Sequence, residues 1–310
     1  NDTLIYAVGA IYMNDSTGQP DPFPYNLAKW NGRSWKLIKV PYYYQGQVFY
    51  HPIESLFAFG TDDIWFAGNG VIHWDGTKYN PIPIPSTVWG PYQINKIWGL
   101  SSENFYIVGN GGNIAHYQNG VWSKIESGTS EDLFDIYSYN GKDIYVAGGN
   151  FHDYSGILLD GNDGSFRTVE IGKNIGDLNQ LFHPYFDGIA KTVWVSSTGA
   201  VYFGGNALYI NINGKTDEVK TLPGNHGREN VNGQYYGFIS QIRGKDENEM
   251  IMVGEGNTIR YFNGVRWKQL GLPYDYSSDY TWLAVSIKKD MIVTVGYSRS
   301  KAIIMMLRRN

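Results

Sequence analysis

Six histidines and no cysteine limit the reactive chemistry open to this chain. Without a thiol there is no disulfide framework, no thiolate nucleophile and no thiolate metal ligand. Four histidines, His51, His152, His183 and His226, fall in loop-like stretches with Asp153, Asp187, Asp275 and Asp279 nearby, a mixture that suits a metal ion or an acid/base pair. No two of them have His-x-x-x-His spacing, and loop histidines are commonly solvated, so no histidine metal site is expected. His73 and His116 recur at matching places in two apolar runs and read as structural. In NDSTGQPDP, Asp15 and Asp21 offer the hard oxygen ligands that calcium takes. Their spacing matches no EF-hand, and Asn, Asp, Gly and Pro are ordinary turn formers. Glycoside hydrolysis needs two carboxylates at one of two characteristic separations. The candidates Glu54 and Asp135 lie two repeats apart, with Lys96 and Lys191 at corresponding places in other repeats. Charge neutralisation is the expectation there. The chain reads as a non-enzyme with no catalytic residue and no cofactor.

Recognition chemistry is better provided for. The chain has 25 tyrosines, 14 phenylalanines and 10 tryptophans. Many cluster in the stretches NDSTGQPDPFPYN, VPYYYQGQVFYHP, PSTVWGPYQ, NFHDYSG, LFHPYFDG, NHGRENVNGQYYG and LPYDYSSDYTW. Tyrosine presents a large, rigid, apolar surface with a polar tip at low entropic cost. The expected binding residues are Tyr42, Tyr43, Tyr44, Tyr50, Trp89, Tyr92, Tyr154, Tyr185, Tyr236, Tyr274, Tyr276 and Tyr280. Such a set could stack on sugar rings or form the centre of a protein interface, and some of the rings would simply pack their own loops.

These residues hang on a repeat. Alternating runs end in glycine as YAVG at Gly9, WFAG at Gly68, YIVG at Gly109, YVAG at Gly148, VYFG at Gly204, IMVG at Gly254 and VTVG at Gly296. The period is that of four-stranded propeller blades, with insertions in the longer intervals. Each of the first six is followed by a second run and then Asn-Gly or Asp-Gly, as in WNG, WDG, QNG, LDG, ING and FNG, expected to form two-residue hairpin turns. An aromatic opens the next strand at Trp35, Tyr79, Trp122, Phe166 and Trp267. A further strand precedes each glycine run, as in INKIWGLSS, LFDIYSYN and FISQIRGK. We letter the strands A (innermost), B (ending in glycine), C and D. Strand A contributes Ser55, Lys96, Asp135, Lys191 and Gln241 at corresponding places. Glycines and aromatics at a fixed register are packing devices and carry no catalytic implication.

The fold expected is all-β: a single domain over residues 1–310, a seven-bladed β-propeller of four-stranded antiparallel blades. Its first blade lacks strand A and its last lacks strand D. About 20 residues upstream would supply both strands. A longer parent chain is the expectation, with strand donation by a neighbouring subunit as the alternative. The B to C and D to A connections share one face and hold nearly all the aromatic insertions, so function belongs to the loops of that face.

DDIWFAGNGVIHWDG, NKIWGLSSENFYIVGNGGNIAHYQNGVWSKIESGT, NTIRYFNGVRWKQL and VGYSRSKAIIMMLRR resemble a family of secreted bacterial seven-bladed propellers often given a glucosyltransferase-like label. The resemblance covers essentially the whole chain and implies an exported protein with an export or lipoprotein signal, hence a lipid anchor, upstream. The transferase label has no counterpart in the residues, which hold no nucleotide-sugar fingerprint and no βαβ unit. A looser similarity is to sialidase and photosystem-assembly repeats, although NGVWSKI lacks the aspartate of their turn.

A net charge of −4 gives no basic footprint for nucleic acid or anionic lipid. No apolar run reaches the length of a membrane span, and NDTLIYAVGA lacks the pattern of a signal peptide. The functional expectation is an extracellular or surface-displayed recognition module. Its partner would be another protein or copies of itself, alternatively a glycan, with a glycan-active hydrolase or lyase as the remaining class.

Overall fold

The computed structural model describes residues 4–44, 46–162, 164–173, 186–218, 238–270 and 279–308. The chain is a seven-bladed β-propeller built from antiparallel blades. The first sheet has three strands, Ile5–Ile11, Tyr25–Trp30 and Trp35–Ile38, and so has the last, Tyr280–Lys288, Met291–Ser298 and Lys301–Arg308. The third blade gives the full pattern in Ile94–Ser101, Asn104–Gly109, Ile114–Gln118 and Val121–Ile125. A fifth strand, Phe186–Asp187, pairs parallel with Ser165–Lys173 of the fourth blade, and Tyr42–Tyr44 with Gln47–Phe49 form a separate hairpin. Among the described residues no helix is long and apolar enough to cross a membrane. The chain packs as two compact units, residues 1–133 and 134–310, with the boundary inside the strand Asp132–Tyr137.

In each unit the apolar cores lie between consecutive sheets. Strand Ile64–Gly68 is buried along its whole length because alternate side chains serve different neighbours. Ile64 and Phe66 join Leu27, Val40 and Ile53 toward the first blade. Trp65 and Ala67 join Ile94, Ile97, Phe105 and Trp122 toward the third. In the second unit Val201 and Phe203 pack with Ala147 and Leu158, while Tyr202 packs with Ile239, Ile242 and Met252. Near-continuous apolar runs such as WFAG therefore mark strands with two covered faces.

The recurring glycine is a close-approach residue. A Cβ on Gly109 would stand 2.1 Å from the carbonyl oxygen of Gln93, and on Gly254 or Gly296 it would stand 2.0 Å from that of Phe238 or Thr281. In the fifth blade the pairing of Ala190 with Gly205 gives this role to Gly205, one residue beyond the Gly204 that the repeat spacing picks out. The double glycine of VYFGG hides that offset.

The Asn-Gly and Asp-Gly turns divide. Asn119-Gly120 and Asn213-Gly214 have positive φ at both positions and close two-residue hairpins. The first, second and sixth blades instead use loops that join Trp30 to Trp35, Trp74 to Tyr79 and Phe262 to Trp267. There the side-chain oxygens of Asn31, Asp75 and Asn263 each accept two backbone N–H bonds further along the loop, which lengthens the turn. Gly161 of LDG lies within a strand, opposite Phe166. The aromatic that opens strand D faces another aromatic in four blades: Trp30 with Trp35, Trp74 with Tyr79, Tyr117 with Trp122 and Phe262 with Trp267.

Candidate functional site

The inner strands share an irregularity that period counting could not reveal. Pairing of strand A with strand B slips between Ile53 and Ser55, Ile94 and Lys96, Ala190 and Thr192, Ile239 and Gln241, and Trp282 and Ala284. Glu54, Asn95, Lys191, Ser240 and Leu283 are left as the extra residues of β-bulges, which re-aim side chains. In three of these strands the residue after the bulge, Ser55, Thr192 or Gln241, is a staple to the next blade. In the first unit the Ser55 hydroxyl accepts from the Ile97 amide at 3.2 Å. In the second, Thr192 Oγ1 accepts from the Ile242 amide at 3.2 Å and Gln241 Oε1 from the Val285 amide at 2.7 Å. Asp135 serves the same end by accepting from the Val193 amide at 3.1 Å. Each staple satisfies an inner-strand N–H that its own sheet does not pair. Lys191, aligned by sequence with Ser55 and Gln241, occupies the bulge instead, and Thr192 takes the staple position.

Asp135 is the one inner-strand carboxylate buried among the described residues. Its two oxygens accept a fork of bonds from Arg243, Nη2 at 2.7 Å and Nη1 at 2.9 Å, and one of them also accepts the Thr192 hydroxyl at 2.8 Å. Arg243 donates as well to the carbonyls of Ile242 and Val193 and lies over the Tyr137 ring. A carboxylate bound on so many sides is a structural anion with no role as a proton carrier. The sequence reading anticipated neutralisation by lysine and missed Arg243. The only available signal was the arginine of FISQIRGK, a charged residue midway along an inner strand.

The remaining polar candidates also have structural partners. The His73 ring stacks on Trp65 and its Nε2 meets Asp63 Oδ1 at 2.8 Å. The same oxygen accepts from Trp65 Nε1 and the Ser102 hydroxyl. His116 stacks on Tyr106 with ring centroids 4.2 Å apart and bonds Asn104 Oδ1, and burial lowers its pKa from the ordinary value. His51 stacks on Phe49, and His152 lies in a tight turn of the fourth blade. Of the two calcium candidates, Asp15 accepts from the hydroxyl and amide of Thr17 and from the Gln19 amide. Asp21 accepts from the Phe23 amide and pairs with Lys39. The hydrogen bond from Thr17 is the main cause of a lowered pKa at Asp15, and that from Lys39 at Asp21. Among the described residues no group of three His, Asp or Glu side chains is placed to hold a metal ion.

The aromatic set separates into a packed part and an exposed part. Tyr42 and Trp89 are buried, Tyr42 beside Ile53 and Phe66, Trp89 beside Ile94 and Phe105. The Trp89 indole donates to the Tyr92 carbonyl at 2.8 Å. Both were expected on the exposed face; their loops fold inward and spend the rings on the core. Tyr50 packs edge-on against Phe23 with Lys39 near its face, and Tyr280 stacks on Trp282. Tyr43, Tyr92 and Tyr154 stand open, at 53%, 49% and 48% exposure. Phe151, absent from the expected set, is likewise open, at 51%. Tyr44 lies in a described strand, without a described side chain, and Tyr185, Tyr236, Tyr274 and Tyr276 lie outside the described residues, as do His183, His226 and Asp275.

No family model and no curated protein matches the sequence. Solved structures match its fold. YCF48 with a D1 peptide bound is 12% identical, with a TM-score of 0.62, over 100% of this chain and 98% of that one. PorZ of Porphyromonas gingivalis, described as an essential bacterial surface component of the type-IX secretion system, is 10% identical with a TM-score of 0.66, over 99% of this chain and 45% of PorZ. The extracellular domain of BT4673 from B. thetaiotaomicron is 12% identical with a TM-score of 0.62, over 98% of this chain and 39% of that one.

Proposed function

We propose that this chain is a non-enzymatic recognition module, one propeller domain over residues 1–310, exported or displayed at a bacterial surface, that holds a protein partner through its aromatic loop face. The observation that carries the reading is a division of labour. The inner-strand groups that could do chemistry, Asp135 above all, are spent on holding blades, while Tyr43 and Tyr92 in the first unit and Phe151 and Tyr154 in the second face solvent from loops. Exposed aromatics on a rigid frame are what protein interfaces use as anchors. Propellers of this fold that hold a peptide (YCF48) or work at a cell surface (PorZ) lend support, as does the resemblance to secreted bacterial propellers.

The test uses partners captured by crosslinking on the surface of the source cells and then re-bound as purified proteins. Replacing Tyr43, Tyr92, Phe151 and Tyr154 with alanine, singly, should weaken a true partner by about tenfold at the anchoring positions, with unchanged thermal stability. Partners held equally by all four variants, or turnover in a panel of glycoside and peptide substrates, would sink the proposal. A second reading rests on Tyr92. Its ring lies against Gly90 and Gly111, where a Cβ would come within 3.1 Å of ring atoms, and Asp132 accepts from the Gly111 amide. A flat exposed ring beside carboxylate and amide groups also suits stacking on a sugar, and a glycan array with Tyr92→Ala as control separates the two.

A further inference from the structure

We infer that the first unit holds an arginine side chain of its protein partner between the ring of Tyr92 and the carboxylate of Asp132, an inference that rests on the protein-binding reading above and names the chemistry of one anchor. Ring and carboxylate meet at one glycine. Tyr92 Cε1 lies 3.1 Å from where a Cβ of Gly111 would stand, and the Gly111 amide donates to Asp132 Oδ1 at 2.8 Å. On the other side of the ring Tyr92 Cε2 lies 3.1 Å from the Cβ position of Gly90. A side chain at either glycine would push the ring aside, and the φ of +66° at Gly111 itself favours glycine. Tyr92 is 49% exposed. Asp132 is half-buried, and its Oδ2 accepts no hydrogen bond from the described residues and is open to solvent.

Both groups are held in place before a partner arrives. The Trp89 indole, buried against Ile94 and Phe105, donates to the Tyr92 carbonyl at 2.8 Å, and the Trp89 amide closes a turn on the Pro85 carbonyl at 3.0 Å. The Asn110 amide donates to the Gln93 carbonyl at 3.1 Å. Asn95 Nδ2, on the inner-strand bulge, bridges Asn110 Oδ1 at 2.7 Å and the Leu133 carbonyl at 2.9 Å. These bonds tie the Tyr92 loop, the Gly111 turn and the segment that carries Asp132 to one another. An exposed ring ordinarily loses rotamer freedom when it is covered, and a ring already seated between two glycines has less to lose.

Charge selects the ligand. Residues 1–133 hold eleven of the 29 acidic and seven of the 25 basic side chains, so the whole net charge of −4 belongs to the first unit, and residues 134–310 balance. A neutral sugar gains nothing from that charge, whereas a cation is drawn to it. Of the two basic side chains arginine is the better fit. Its guanidinium is planar, so one face lies on the Tyr92 ring while its N–H edge donates to Asp132 Oδ2. The lysine ammonium is a compact, strongly hydrated point charge that gives up more water for either contact.

The experiment measures binding of the whole chain to three fluorescent peptides, acetyl-Gly-Val-Arg-Val-Gly-amide and its Lys and Gln counterparts, by anisotropy. The Arg peptide should bind about tenfold more tightly than the Gln peptide, with Lys between them. Asp132→Asn keeps an oxygen for the Gly111 amide, so it should abolish the preference for Arg at an unchanged melting temperature. Tyr92→Ala should weaken the Arg peptide about tenfold, and Tyr92→Phe, which keeps the ring, should bind as wild type does. The preference should shrink as NaCl rises from about 0.05 M to about 0.5 M. Equal binding of the Arg and Gln peptides, no binding of any peptide, or a preference that survives Asp132→Asn overturns the inference. Retention on a neutral glycan that depends on Tyr92, without a preference for Arg over Gln, gives the site to a sugar instead. If a partner captured on cells is indifferent to Asp132→Asn but loses affinity with Tyr43→Ala or Phe151→Ala, the arginine site falls while the protein-binding reading stands. If no substitution on the loop face affects any partner, both fall.

Discussion

Tyr42 carries a hydroxyl into the core of the first unit, where it meets no hydrogen-bond partner among the described residues. Burial, with Glu54 as the lesser cause, drives its pKa far above the ordinary phenol range. A buried donor without a partner costs about 1 to 3 kcal/mol, so Tyr42→Phe should stabilise the protein by about 1 kcal/mol, read as a raised urea midpoint with unchanged slope. His116 makes the complementary case at a titrating group. Desolvation lowers its folded-state pKa below the ordinary 6.5, so the unfolded chain binds the proton more readily than the folded one. Stability from this residue is complete above that value and is lost as pH falls from it through the lower folded value. Urea midpoints measured from pH 7.5 down to pH 5 should fall less steeply for His116→Gln than for wild type, and parallel curves would contradict the sign. Both residues were visible in the sequence, with different success. His116 was read as structural from its repeated strand position. Tyr42 was read as a binding residue because a YYY run in a Pro-flanked loop gives no sign of which ring turns inward.

The B-strand glycine shows how far a repeat can be read at the level of elements. Its recurrence located the blades, and the physical cause, a neighbouring carbonyl oxygen within about 2 Å of any added Cβ, is the same in the third, fifth, sixth and seventh blades. Gly109→Ala should therefore destabilise by about 2 to 4 kcal/mol, since backbone must move on both sides. Gly120→Ala meets nothing within 4 Å and strains only its turn, for about 1 kcal/mol. Thermal melts of the two variants side by side check the ordering. The bulges, by contrast, left no mark in the sequence. Inserting one residue where strand A begins changes which side chain faces the neighbouring amide, yet apolar alternation resumes at once beyond it. Sequence alignment consequently matched Lys191 with Ser55, when the register matches Thr192.

For the whole molecule, the fold was legible because composition, turn residues and repeat period all point to antiparallel blades. The site was less so, since partners distant in sequence decide what an ionisable group does. Arg243 and Asp135 are separated by 108 positions and meet as a bidentate pair that links the fourth and sixth blades across Thr192 of the fifth. Asp135→Asn should cost about 3 to 5 kcal/mol by leaving the guanidinium buried without its counter-ion. Joint replacement by Asp135→Leu and Arg243→Met should recover most of it. Equal losses in the single and double variants, measured by denaturant unfolding, would show that packing and not charge is at stake.

The staples between blades have a direction. In each described case the acceptor belongs to the earlier blade and the amide to the blade that follows it in the chain: Ser55 with Ile97, Asp135 with Val193, Thr192 with Ile242, Gln241 with Val285. As the polypeptide leaves the ribosome, N-terminal segments first, each of these four blades, once complete, displays the hook on which its successor's first strand can be hung. Such an order favours in-sequence assembly, each new blade finding its register against one that exists, and disfavours joining blades out of turn.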